Sequence, residues 1–190
     1  MRILIFNWRD IKNPQSGGAE ILTHEMAKRW VAWGHTVTQF SAGFTGGKSE
    51  EVIDDVRIVR RGTWWSVQLL ALFYYLFRFR HETDVVVDEV HWYPFFAKLY
   101  AGRKTVLLAC EVARRLFFVL FPVPLAILGM FIERIYLFLY QDIPTIAISP
   151  STKDDLVSEG FHPDRVTVIP LAVTVPRRSR QDAKQKNPTL

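Results

Sequence analysis

Cysteine is nearly absent: the 190 residues contain one, Cys110. A single thiol forms no intrachain disulfide and no cysteine-based metal cluster, and it implies a reducing, cytoplasmic setting. No His pair or carboxylate cluster recurs at ligand spacing, so no metal is expected. No signal peptide is expected, because the apolar run after the initiator is interrupted by Asn7-Trp8-Arg9-Asp10. Basic charge is also scarce where nucleic acid would need it. The net charge is +5, but Arg177–Leu190 holds five basic residues against one acid, which leaves the rest near +1. A folded basic face is therefore missing and no nucleic-acid partner is expected.

Apolar residues, at 49%, are ample for one domain's core. Short apolar runs without polar alternation predict strands at Ile3–Phe6, Thr36–Phe40, Val56–Val59, Val85–Val87, Thr105–Leu108, Thr145–Ile148 and Val166–Ile169. Such runs suit strands buried on both faces of a parallel sheet. Ala19, Leu22, Met26, Trp30 and Trp33 repeat at helical spacing, and Gly34 stands where a cap belongs. Ser149–Gly160 predicts another helix, with Ser149 as cap, Pro150 in the first turn and Ser151/Asp154 as a capping-box variant. Strand and helix alternate, which predicts a doubly wound, Rossmann-like α/β domain over residues 1–176, followed by a solvated basic linker at 177–190.

Asn13-Pro14-Gln15-Ser16-Gly17-Gly18-Ala19-Glu20 follows the first strand. Gly17 and Gly18 let backbone approach a ligand, and a helix start offers amides to an anion such as a phosphate. The spacing is not the G-x-G-x-x-G fingerprint, which disfavours a nicotinamide or flavin. A ligand-free glycine turn has the same pattern.

Two stretches sit uneasily in a water-soluble domain. Leu116–Ile132 carries no charge, and Trp64–Phe77 is also uncharged. Pro122 and Pro124 break the first near its start, which argues against a spanning helix. Burial in the core is one explanation. The favoured one is docking in the bilayer interface through Trp64, Trp65, Arg114, Arg115, Leu120, Ile127 and Phe131.

Six elements occur in an order that resembles the N-terminal half of retaining glycosyltransferases of the GT-B fold, family 4. They are Asn7-Trp8-Arg9-Asp10 leading to Pro14-x-x-Gly17-Gly18-Ala19-Glu20, then Gly34-His35-Thr36-Val37-Thr38, and Asp84 through Asp88-Glu89-Val90-His91-Trp92-Tyr93-Pro94. Ile148-Ser149-Pro150-Ser151-Thr152-Lys153-x-Asp155-Leu156, Gly160-Phe161 and Val166-x-Val168-Ile169-Pro170 complete the set. The resemblance implies an acceptor-binding domain facing a donor-binding domain beyond Leu190, with a UDP- or GDP-sugar as co-substrate of the full enzyme and no cofactor in this half. It also implies a lipid-linked or glycan acceptor at the inner face of the membrane. The rival readings are a self-sufficient glycan- or phosphate-binding module and a membrane-docked subunit completed by a separate chain.

By the same resemblance, Gly17 and Gly18 close over the donor phosphates. Glu20 touches substrate or caps the helix, and His91 lies at a strand end facing the cleft. Ser149 and Ser151 bond a ligand or cap their helix, and Glu111 orients an acceptor hydroxyl or stays structural. Cys110 departs from the pattern, since family members carry His there. Pro170-Leu171-Ala172 likewise replaces the family's Pro-Asn-Gly.

Overall fold

Uninterrupted Val, Ile, Leu and Phe form stable strands only where both faces are covered, and most of the sheet is built that way. The computed structural model describes residues 1–90, 92–114 and 116–170. Its eight strands are β1 (Arg2–Phe6), β2 (Thr36–Ser41), β3 (Glu50–Ile53), β4 (Val56–Arg60), β5 (Val85–Val90), β6 (Thr105–Ala109), β7 (Thr145–Ala147) and β8 (Val166–Val168). They lie in the order β3-β4-β2-β1-β5-β6-β7-β8. Every neighbouring pair is parallel except β3–β4.

All seven expected strands form, with β5 running on to Val90. The eighth, β3, was not expected. Its sequence, Glu-Glu-Val-Ile, carries two charges because it is an edge strand. Glu50 there pairs with Arg57, Arg61 and Arg78, and these guanidiniums, Arg57 foremost, hold its carboxyl down at about 2.

Side-chain alternation along the strands separates two cores. Leu4, Phe6, Phe40 and Val86 face α2 (Val67–Tyr74), which continues as a π-helical turn over Tyr75–Phe79. α3 (Ala97–Ala101), α5 (Val123–Tyr140) and α6 (Pro150–Ser158) join that face further along. Ile3, Ile5, Val37, Ile58 and Val87 face α1 (Gly18–Ala32) on the opposite side.

Gly34 ends α1 as expected. At φ +84° its N–H bonds Val31 O, and the His35 N–H bonds Trp30 O, so two orphan carbonyls are satisfied. Trp33 does not belong to the buried stripe. It is the C-cap residue, turned out of the core and 70% exposed. In α6 the Ser149 hydroxyl accepts from Thr152 N, but the expected Ser151/Asp154 capping box is absent, because the residue three beyond the cap is Thr152.

The proline pair divides the uncharged stretch into α4 (Leu116–Leu120) and α5, with Pro122 as the cap of α5. Gly129 lets the two helices touch: a Cβ there would lie 2.6 Å from the Phe117 ring. α5 is not wholly interior. Its inner side presents Ala126, Glu133, Tyr136 and Tyr140, while Leu125, Ile127, Phe131, Ile135 and Phe138 are exposed. By length and composition α5 is apolar enough to cross a membrane. Its polar bonds instead tie it to the domain. Glu133 accepts from Ala113 N and Arg114 N, and Tyr140 donates to Asp88 Oδ2 at 2.5 Å.

Candidate functional site

In an open parallel sheet, ligands gather beyond the carboxyl ends of the strands, where the strand order reverses. That point lies between β1 and β5, and a hydrogen bond crosses it: Asn7 Nδ2, just past β1, donates to Glu89 Oε2 of β5 at 2.6 Å. Thr23 Oγ1 of α1 donates to the same oxygen at 2.5 Å, and Cys110 Sγ, just past β6, lies 3.7 Å from Glu89 Oε1. Four elements thus meet on one buried carboxyl. Burial, assisted by the charge of Glu20 and opposed by the Thr23 bond, pushes Glu89 up to about 8. Burial thus favours the protonated form of Glu89. Oε2 takes the bonds donated by Asn7 and Thr23, and Oε1 faces the Cys110 thiol, which donates to it.

Gly17 caps α1 in an extended conformation, and its N–H bonds Glu20 Oε2 at 2.6 Å. This amide is bonded within the fold, to the Glu20 carboxylate. The capping reading of Glu20 describes its geometry, and that carboxyl is buried. Gly18 and Ala19 follow in the first turn, where helix geometry gives the N–H groups no intrahelical partner. Gly18 is exposed, and a Cβ on it would meet nothing within 4 Å. Close approach at Gly18 comes from outside the chain or not at all.

Cys110 is largely enclosed. Burial first, and then the Glu89 carboxyl, push its thiol up, so it stays protonated and weakly reactive. Ser149 Oγ lies 2.8 Å from Ser151 Oγ and 2.9 Å from Thr152 Oγ1, and Thr152 Oγ1 reaches Cys110 O. The structure thereby joins Gly17, Glu20, Cys110 and Ser149 around the reversal point. Glu111 is exposed beside them. His91, Arg115, Leu171-Ala172 and the linker at 177–190 lie outside the described residues. Among the described residues no group of three His, Cys, Asp or Glu is placed to hold a metal.

Sequence reasoning passed over Asn7, Thr23 and Glu89 as site residues. The signal was Asp88-Glu89 inside a Val-rich strand: two carboxyls in a run buried on both faces must be desolvated. Asp88 points to the other face. It accepts from Phe95 N, Ala97 N and Tyr140 Oη, and burial pushes it up to about 6.

The candidate docking residues divide. Arg114 is drawn inward to Asp155 and Glu159, at 3.0 and 3.1 Å. Leu120, Ile127 and Phe131 are exposed on α4 and α5. Trp64 and Trp65 are exposed too, but they precede α2, and β2, β1 and β5 separate β4 from β6.

A family model described as Glycosyltransferase Family 4 matches residues 16–177. No curated protein matches the sequence. Among solved structures, sucrose-phosphate synthase from Thermosynechococcus elongatus aligns with a TM-score of 0.63 at 12% identity, over 90% of this chain and 48% of that one. α,α-Trehalose 6-phosphate synthase from Burkholderia multivorans aligns at 0.46 and 10% identity, over 83% and 41%. The chain therefore spans about half the length of these structures, and with the first it shares the fold.

Proposed function

Because the chain belongs to glycosyltransferase family 4, we propose that its residues form the acceptor side of a transferase that moves a sugar from a UDP- or GDP-sugar to a lipid-linked or glycan acceptor, with retention of configuration. The observation that carries the reading is the meeting of α1, through Thr23, the Asn7–Glu89 bond and the Cys110 and Ser149 loops at the sheet's reversal point. Departure of a nucleoside diphosphate develops negative charge, and the positive end of α1 at Gly18 and Ala19 suits it. Asn7, Thr23 and Glu89 are positioning residues in this scheme. They fix the end of β1 and the tilt of α1, while a donor-binding domain, in cis or in trans, supplies the remaining cations and amides.

Two experiments test it. Protein expressed from the native reading frame, incubated with radiolabelled UDP- or GDP-sugar and a membrane lipid extract, is expected to transfer label to an acceptor, whereas these 190 residues alone give no sustained transfer. Turnover by the 190 residues alone would refute the half-enzyme assignment. No transfer by the native protein from either donor class would refute the transferase assignment.

The second experiment concerns location. The exposed side of α4 and α5 supports a peripheral site at the inner, cytoplasmic face of the membrane. Anionic liposomes are expected to co-sediment the protein, and exchanging Leu120, Ile127 and Phe131 for Ser to release it. Equal sedimentation by a triple variant that keeps its circular dichroism spectrum would assign the apolar face to another contact.

A further inference from the structure

A cavity of about 570 Å³ opens beside the reversal point, walled by the loops that follow β1, β2 and β4. Trp8 and Arg9 line it from the first loop, Phe44 and Thr45 from the second, and Thr63 and Trp64 from the third. The walls contain a single formal charge, that of Arg9, and no carboxylate.

Arg9 and Asp10 are adjacent in sequence and diverge in space. Asp10 is fully buried and grips Arg60 through two bonds of 2.6 Å. Arg9 turns to the cavity, with its guanidinium 4.2 Å above the Trp8 ring. Its acceptors are neutral: Gln15 O at 2.8 Å and Gln15 Oε1 at 3.0 Å. Arg60, Arg61 and Arg114 all meet carboxylates instead. Arg9 is thus pre-oriented and keeps its charge for an incoming anion.

The loops after β2 and β4 are equally prepared. Gly43 N bonds Gly62 O at 3.0 Å, locking the loops after β2 and β4 together. Gly62 sits at φ +66°, and a Cβ there would lie 2.4 Å from the Leu70 side chain, so this turn has no room for another residue. Beyond it Trp64, 63% exposed, lines the cavity together with Thr45 and Thr63, whose hydroxyl lies 3.2 Å from Ser66 Oγ. An exposed indole in the lining and one oriented guanidinium without a carboxylate partner suit a pyranose that stacks its C–H face on indole and carries an anionic group.

We propose that this cavity is a subsite for an anionic saccharide, with Arg9 as the specificity-determining residue and Trp64 as the stacking platform. Within the transferase reading, on which its biological role rests, the ligand is an acidic or phosphorylated sugar unit of the acceptor. Trp64 then serves the acceptor and not the bilayer.

Calorimetry with glucose 6-phosphate, glucuronate, glucose and inorganic phosphate tests it. At least one charged sugar should bind about tenfold tighter than both glucose and inorganic phosphate, as a charge-assisted bond combined with stacking requires. The preferred one identifies the anion as phosphate or carboxylate. Arg9→Gln should erase the preference over glucose, Arg9→Lys should retain part of it, and Trp64→Ala should weaken the charged sugar about tenfold. Saturation-transfer NMR should show sugar C–H protons against indole, lost in Trp64→Ala. Equal binding of glucose, equal binding of inorganic phosphate, no binding at all, or an unchanged preference in a folded Arg9→Gln protein overturns the proposal. Binding needs no turnover, so failure here leaves the transferase assay untouched, and failure of that assay leaves this site standing.

Discussion

Asp10→Ala is expected to lower the free energy of unfolding by roughly 3–5 kcal/mol, the usual cost of stranding one member of a buried ion pair. Asp10 and the Arg60 side chain are both essentially inaccessible, and the pair is bidentate. After the substitution Arg60 keeps Glu51 and Lys48 O but loses its only fully buried counter-charge. A domain of this size has a total stability of only about 5–15 kcal/mol. The variant should therefore melt near the edge of the folded range. The double change Asp10→Leu with Arg60→Met should cost less than the single one, because no charge is left stranded. Urea unfolding followed by circular dichroism reads both. A loss below about 1 kcal/mol for Asp10→Ala, the scale of an exposed pair, would show that the pair is solvated in solution.

The second large effect concerns pH. Glu89 titrates near 8 in the folded chain against 4.5 when exposed, so the folded state holds a proton that the unfolded state has released between those values. Stability falls with rising pH wherever the native state binds more protons. The contribution of Glu89 is therefore undiminished below pH 4.5, declines from about 4.5 to about 8, and is flat above. Over that interval the loss is on the order of 4 kcal/mol. Glu89→Gln keeps the shape without the titration. Its stability relative to the parent should rise steadily from pH 5 to pH 8. Asp88 adds a similar decline up to about 6, but it is present in both proteins and cancels in the difference. Parallel profiles for the two proteins would mean that Glu89 is ionised and solvated.

Most of the sheet was legible because its strands are buried on both faces and so are spelled in aliphatic residues. β3 was not legible, since its strand character comes from tertiary ion pairs to Arg57, Arg61 and Arg78, which no local pattern encodes. The caps at Gly34 and Ser149 were readable, because glycine at positive φ and a serine hydroxyl act over a few residues. The apolarity of α5 was visible, but which side faces outward depends on Glu133 and Tyr140 finding partners 20 and 52 residues away.

The site was half legible. A glycine doublet after the first strand points to a helix start, yet the sequence does not say that Glu20 already occupies the Gly17 amide. Asn7, Thr23 and Glu89 are far apart in the chain and become one group only through the strand order. The cavity at Arg9 was invisible for the same reason: its walls come from three loops that only the β4-β2-β1 adjacency brings side by side.

One oxygen, Glu89 Oε2, receives bonds from both the end of β1 and the second turn of α1. Strand tip and helix are therefore linked through a shared acceptor: a tilt of α1 that keeps both bonds pulls on Asn7, and the intervening residues 8–16 take up the difference. Arg9 rides on that segment, so any tilt of α1 would also shift the part of the cavity wall that Arg9 forms.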